Sequence, residues 1–256
     1  MNNYEFDVDS NTSLDVYLTA GRVDIRPGEQ GRIEVVVDTN DPKFEVSQRG
    51  GQIYISSDRD SRWASGRNSA NVVIKAPEGT DATISTATAN IDSTVRLGDV
   101  FIKSATADVE LNEIHSGNVK TASGDVEIGR VSDYLKVASA SGDVMIGRCE
   151  GKAECSAASG DVHIRDCEGP VKANSASGDI TLGRFAGDRA SFKTMSGDVT
   201  VGVPAGTKIN LDVTTLSGEL RLPERSDDAE PVTPTRKISL RAKLVSGDLI
   251  LKRVEE

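Results

Sequence analysis

The chain has 256 residues, 37% of them hydrophobic but only 4% aromatic, which leaves few bulky side chains for a wide core. Forty acidic against thirty basic residues give a net charge of −10. An acidic surface repels phosphate groups, so neither a nucleic-acid partner nor binding to an anionic membrane is expected, and no membrane insertion either. No apolar run approaches the ~20 residues that span a bilayer, and Met1-Asn2-Asn3-Tyr4-Glu5 has neither the basic nor the apolar region of a secretory signal. The expectation is therefore a cytoplasmic protein, with the cell surface open only if this chain is a piece of a longer one.

Taken in order, the N-terminal part predicts β-strands at Phe6-Val8, Leu14-Val16-Leu18, Val23-Ile25, Ile33-Val35-Val37, Phe44-Val46 and Ile53-Ile55. Alternation and β-branched residues support them, with Pro27-Gly28, Asn40-Asp41-Pro42 and Gly50-Gly51 as breaks. Residues 58–69 are polar and carry the only Trp; Trp63, with Arg62 and Arg67 beside it, is the candidate contact for a partner. Residues 1–78 are expected to form a β-rich segment of degenerate coils, continuous with a regular solenoid over 79–256.

From residue 123 one motif recurs. It reads Ser-Gly-Asp-Val-x-Ile at Ser123, Ser141 and Ser159, and continues as Ser177-Gly178-Asp179-Ile180, Ser196-Gly197-Asp198-Val199, Ser217-Gly218-Glu219-Leu220 and Ser246-Gly247-Asp248-Leu249. The spacing is 18 residues in the centre and 19, 21 and 29 towards the C-terminus. The second and fourth residues after Gly are apolar in each strong copy, and the one between varies, which is the period-two signature of a strand with one buried face. Apolar pairs seven and five residues before Gly (Leu135/Val137, Ala153/Cys155, Val171/Ala173, Ala190/Phe192, Leu211/Val213) and a corner residue seven after it (Ile114, Val131, Cys149, Cys167, Phe185) point to the same interior. Stacked coils of this length predict an all-β fold, a single-stranded parallel β-helix (β-solenoid) of roughly 18-residue coils. The loop at 223–235, with three prolines and the acidic run Asp227-Asp228-Ala229-Glu230, is read as an inserted loop. The long Gly21–Gly51 and Gly218–Gly247 intervals read as capping insertions that favour a monomer or small homo-oligomer.

The repeated polar residues form the candidate ladder Gly124, Asp125, Gly142, Asp143, Gly160, Asp161, Gly178, Asp179, Gly197 and Asp198. Turn formation is the first reading: Gly suits a turn with φ > 0 or no room for Cβ, and Ser and Asp hydrogen-bond nearby backbone. Chelation of Ca²⁺ is the second, disfavoured because each coil supplies one carboxylate where the ion takes six to eight oxygens. Basic residues also align, at Arg130, Arg148 and Arg184 and at Lys136 and Lys172, and are read as solvated balance to the Asp column ahead of a groove for a charged polymer. The three cysteines are read as small buried hydrophobes, with no cofactor and no metal. Two histidines out of register with any repeated Ser do not suggest a triad, so no catalytic residue is assigned.

The Ser-Gly-Asp-Val-x-Ile copies, following Phe6-Asp7-Val8 and Gly21-Arg22-Val23-Asp24-Ile25, resemble the bacterial putative-adhesin family of β-strand-repeat proteins, a domain of unknown function. The resemblance covers most of the chain and implies a parallel β-helix-like fold with no catalytic residues to carry over. Two function classes follow. One is a non-catalytic, adhesin-like binding or scaffold protein with a protein or polysaccharide partner. The other is a structural β-helix that assembles end to end through open terminal coils; a carbohydrate-active β-helix enzyme is a distant third.

Overall fold

The computed structural model describes residues 1–57, 69–223 and 236–254. Among them are 22 β-strands and no helix, in two units, Met1–Val131 and Ser132–Glu256.

The first unit holds β1 (Asn2–Asp7), β2 (Ser13–Leu18), β3 (Gly21–Pro27), β4 (Arg32–Thr39), β5 (Glu45–Arg49), β6 (Gln52–Ser56), β7 (Ala70–Ala76), β8 (Asp81–Thr86), β9 (Asn90–Ser104) and β10 (Val109–Thr121). β11 (Val126–Ser139) begins in this unit and runs into the next. Two parallel ladders form it. β2 lies between β6 and β8, Leu14 facing Ile53 on one side and Ala82 on the other. β3 lies between β7 and β9, Val23 facing Val72 and Ile91. The chain thus returns after residue 52 to the far side of a coil it has already made. That end is closed by antiparallel strands: β5 on β6, β4 on β7, and β1 on β4. The reversal between β5 and β6 is a two-residue Gly50-Gly51 turn with φ of 54° and 79°. Such turns match the twist of an antiparallel pair and need residues free of the Cβ penalty.

The second unit adds β12 (Val144–Cys149), β13 (Lys152–Ala157), β14 (Val162–Cys167), β15 (Val171–Ser175), β16 (Ile180–Phe185), β17 (Arg189–Ser196), β18 (Val199–Pro204), β19 (Thr207–Ser217), β20 (Leu220–Arg221), β21 (Arg236–Ser246) and β22 (Leu249–Val254). One parallel ladder runs β11–β13–β15–β17–β21–β19, with Leu135, Ala153, Val171, Ala190, Leu240 and Leu211 in register. The other runs β12–β14–β16–β18–β22–β20, with Val144, Val162, Ile180, Val199, Leu249 and Leu220 in register. The apolar members of these columns are buried except in β19 and β20, as are Cys149, Cys167 and Phe185 of the corner column. Small residues at some levels (Ala153, Ala173) and Phe185 and Phe192 at others share the narrow interior.

The stack leaves chain order at its C-terminal end. The 29-residue Gly218–Gly247 interval, read from sequence as a capping insertion, instead carries the chain back so that β21 and β22 enter between the 189–204 and 207–222 passes. β19 and β20 therefore pair on one side only among the described residues. Leu220 and Leu222 are 44% and 54% exposed, although Leu249, beside Leu220 in the ladder, is buried.

Candidate functional site

The aspartates of the repeat form backbone-to-carboxylate chains. In the first unit the Asp108 N–H donates to Asn90 Oδ1 and the Asp125 N–H to Asp108 Oδ1, both at 3.2 Å. In the second, the Asp161 N–H donates to Asp143 Oδ1 (2.9 Å), Asp179 to Asp161 (2.8 Å) and Asp198 to Asp179 (2.7 Å). Each carboxylate takes up a backbone donor that a turn would leave outside the ladder. The hydroxyl at the turn is not that of the repeated Ser. The glycine N–H donates to Thr121 Oγ1 at Gly124, Ser139 Oγ at Gly142 and Ser175 Oγ at Gly178, from a buried position three residues earlier. Sequence reasoning credited the neighbouring Ser; the signal for the right one was a polar residue breaking an apolar column. The glycine itself is demanded by proximity: a Cβ on Gly160 would lie 2.1 Å from the Gly142 carbonyl oxygen.

The second unit presents a charge pattern that no repeat requires. On the outward face of β11, β13, β15, β17, β21 and β19, one column reads Lys136, Glu154, Lys172, Ser191, Arg241, Asp212. The column two residues on reads Ala138, Ser156, Asn174, Lys193, Lys243, Thr214. Lys152 and Arg189 stand on the side preceding the first column. Both acids in these columns are neutralised: Lys152 Nζ lies 2.5 Å from Glu154 Oε1 and Arg241 Nε 2.8 Å from Asp212 Oδ2. The hydrogen bond from Lys152, helped by the charges of Lys172 and Lys136, holds Glu154 below the usual carboxylate range. Lys193 and Lys243 have no carboxylate within ion-pairing distance among the described residues. An open groove of about 520 Å³ runs past Lys172, Lys193 and Lys243, with Met195 and Val245 in its lining.

The arginines aligned in the sequence behave differently. Asp166 stands between Arg148 and Arg184 in register, and Arg148 pairs with Glu168 at 2.7 Å and Glu150 at 3.4 Å. Trp63, Arg62 and Arg67 lie outside the described residues, as does most of the 223–235 loop. Cys149 and Cys167 face one another in register, and their thiols donate to the carbonyls of Gly151 and Gly169 at 3.3 Å. Contact with the Cys167 sulfur, and burial, push the Cys149 thiol up; burial pushes Cys155 up to about 12. Raised in this way, the Cys149 and Cys155 thiols are poor nucleophiles and poor metal ligands. Among the described residues no group of three or more His, Cys, Asp and Glu side chains is gathered to hold a metal ion.

The family model described as Toastrack DUF4097 matches residues 11–252. The chain belongs to this family. The Toastrack match spans both units, repeat and degenerate coils alike. Three solved structures resemble the chain along nearly its whole length. A putative adhesin from Parabacteroides merdae is 14% identical, with 98% of this chain and 95% of that one covered and a TM-score of 0.55. One from Parabacteroides distasonis is 16% identical, with 98% and 96% covered and a TM-score of 0.53. A protein of the same organism named a putative lipid binding protein is 13% identical, with 96% of each covered and a TM-score of 0.57. At such identities the likeness is one of fold. None of these names is that of an enzyme, and no curated protein matches the Toastrack chain.

Proposed function

We propose that this Toastrack chain is a non-catalytic, adhesin-like binding or scaffold module built on a single-stranded parallel β-helix. Its working surface is the outward face of β11, β13, β15, β17, β21 and β19. The in-register ladders at 18-residue offsets support the architecture. The observation that carries the function is the gathering of cations on one sheet face of a chain whose net charge is −10. Fold alone does not require it, because outward residues of a parallel ladder are free to vary. In-register stacking sets like side chains ~4.8 Å apart, so such a face is a rigid array suited to an anionic surface or polymer.

The test is surface plasmon resonance of the full chain over anionic surfaces (heparin, phosphatidylglycerol bilayers) and neutral ones (dextran, phosphatidylcholine bilayers). The expected result is retention on at least one anionic surface, weakening with salt. Failure to be retained on any anionic surface ends this reading.

A second reading, end-to-end self-assembly, has its own observation: β19 and β20 offer an edge paired on one side, with Leu220 and Leu222 exposed. Unpaired edges of this kind template further pairing. Sedimentation velocity should then show concentration-dependent growth that Leu220→Lys/Leu222→Lys abolishes. A single monomeric species at every concentration removes it.

A further inference from the structure

The outward residue just before each Ser-Gly pair is alanine at Ala140, Ala158 and Ala176, and then becomes Met195, Leu216 and Val245. In space the order is Met195, Val245, Leu216, because β21 lies between β17 and β19. These three side chains are 64%, 47% and 83% exposed, so no packing role accounts for the change from alanine. They form one apolar column, and the cations Lys172, Lys193 and Lys243 lie on the same outward face, two or four positions earlier along the strands.

We propose that this margin of the second unit docks on the surface of an anionic lipid bilayer. Lys172, Lys193 and Lys243 meet headgroup phosphates, and Met195, Val245 and Leu216 enter the boundary between headgroups and acyl chains. The inference rests on the binding-module reading above and names its partner. Charge complementarity and the apolar column together select the occupant. A soluble polyanion would engage the lysines and leave three apolar side chains in water; a neutral apolar partner would leave Lys193 and Lys243 unmatched. A bilayer interface takes both at once. Among the nearby carboxylates Glu154 and Asp212 are ion-paired, and Asp248 and Glu219 share Arg221. Asp179 and Asp198 accept backbone N–H groups and keep their charge, three positions beyond the apolar column.

The experiment is co-sedimentation of the full chain with phosphatidylcholine vesicles, with and without phosphatidylglycerol, alongside retention on heparin. Binding is expected only to the phosphatidylglycerol vesicles and weakens with salt. Lys193→Ala/Lys243→Ala lowers the partition coefficient about thirty-fold, from the roughly 1 kcal/mol each lysine contributes near such a surface. Met195→Ser/Leu216→Ser lowers vesicle binding while leaving heparin retention unchanged. Lys193→Gln/Lys243→Gln serves if the alanine pair unfolds at lower urea than the parent. Equal partition onto phosphatidylcholine alone, or lysine variants that bind as the parent does, overturns the proposal. Retention on heparin without vesicle binding also overturns it and leaves the binding-module reading standing; retention on neither removes both.

Discussion

The backbone N–H of Asp248 donates to Asp198 Oδ1 at 2.8 Å, although fifty residues separate the two. Asp248 in turn accepts the N–H of Glu219 at 2.8 Å, twenty-nine residues earlier in the chain. The aspartate chain thus passes from Asp198 to Asp248 to Glu219, recording the order in which the coils stack. Asp198→Ala leaves the Asp248 N–H without its charged acceptor, and a loss of about 2 kcal/mol is expected in urea denaturation. Asp198→Asn, whose amide oxygen still accepts, should recover most of it.

The same order predicts where the second unit opens first. Amides of β21, near the end of the chain but flanked by β17 and β19, should be among the protected ones in hydrogen exchange. Amides of β19, with one neighbouring strand, should exchange faster. Stacking in chain order would invert this result, so exchange rates at Leu240 and Leu211 decide it.

Gly160→Ala tests why the repeat keeps its glycine. The added methyl would sit 2.1 Å from the Gly142 carbonyl oxygen, and backbone cannot yield as a flexible side chain can. A cost of about 3 kcal/mol is expected in the urea midpoint. Gly50→Ala meets nothing within 4 Å and carries only the strain of its positive φ, so its loss should be smaller, about 1 kcal/mol.

Phe192 is one of two phenylalanines among the largest fully buried side chains, set between Ala173 and Ala242 in its column. Small residues above and below leave little to collapse into the space it would vacate. Phe192→Ala should cost about 4 kcal/mol, whereas Phe192→Leu, which keeps most of the volume, should cost far less.

Cys155 makes stability depend on alkaline pH. Its thiol titrates at about 12 in the fold, against 9.0 for an ordinary thiol. Below pH 9 both states keep the proton and the fold has its full stability. Between pH 9 and 12 the unfolded chain loses the proton first, so stability falls as pH rises through that window. Urea titrations on either side of pH 9 should show this fall diminished in Cys155→Ala. The native thiol should also resist alkylation until the chain is unfolded.

Much of this was legible beforehand. The positions two and four after each Gly, and seven and five before it, are the buried columns, because a strand's side-chain period is two whatever lies beside it. Gly218 departs from this because its strands have a neighbour on one side only, which leaves Leu220 and Leu222 exposed. The antiparallel closure at the N-terminal end was legible in part: Gly50-Gly51 between two apolar runs is a hairpin signal, which a search for parallel coils passes over as a break. The basic margin was harder. Lys172 aligns with Lys136 in the sequence, yet Glu154 separates them in space, whereas Lys193 and Lys243, fifty residues apart, are direct neighbours. The replacement of Ala140, Ala158 and Ala176 by Met195, Leu216 and Val245 is visible in the motif itself, at an outward position that the repeat leaves free to vary.

By itself, then, the sequence determined which side chains face in, where each coil turns and why Gly and Asp recur there. Those are local matters of strand period and turn geometry. Only the tertiary structure decided which coil lies on which. Every coil offers its neighbours nearly the same apolar columns and the same aspartate acceptor, so the repeat is degenerate with respect to order. Its long-range arrangement depends on where the chain can return, at residues 52 and 236, to cover an open edge. That return brings Met195, Val245 and Leu216 into one column beside Lys193 and Lys243, and so makes a surface that no stretch of the chain contains.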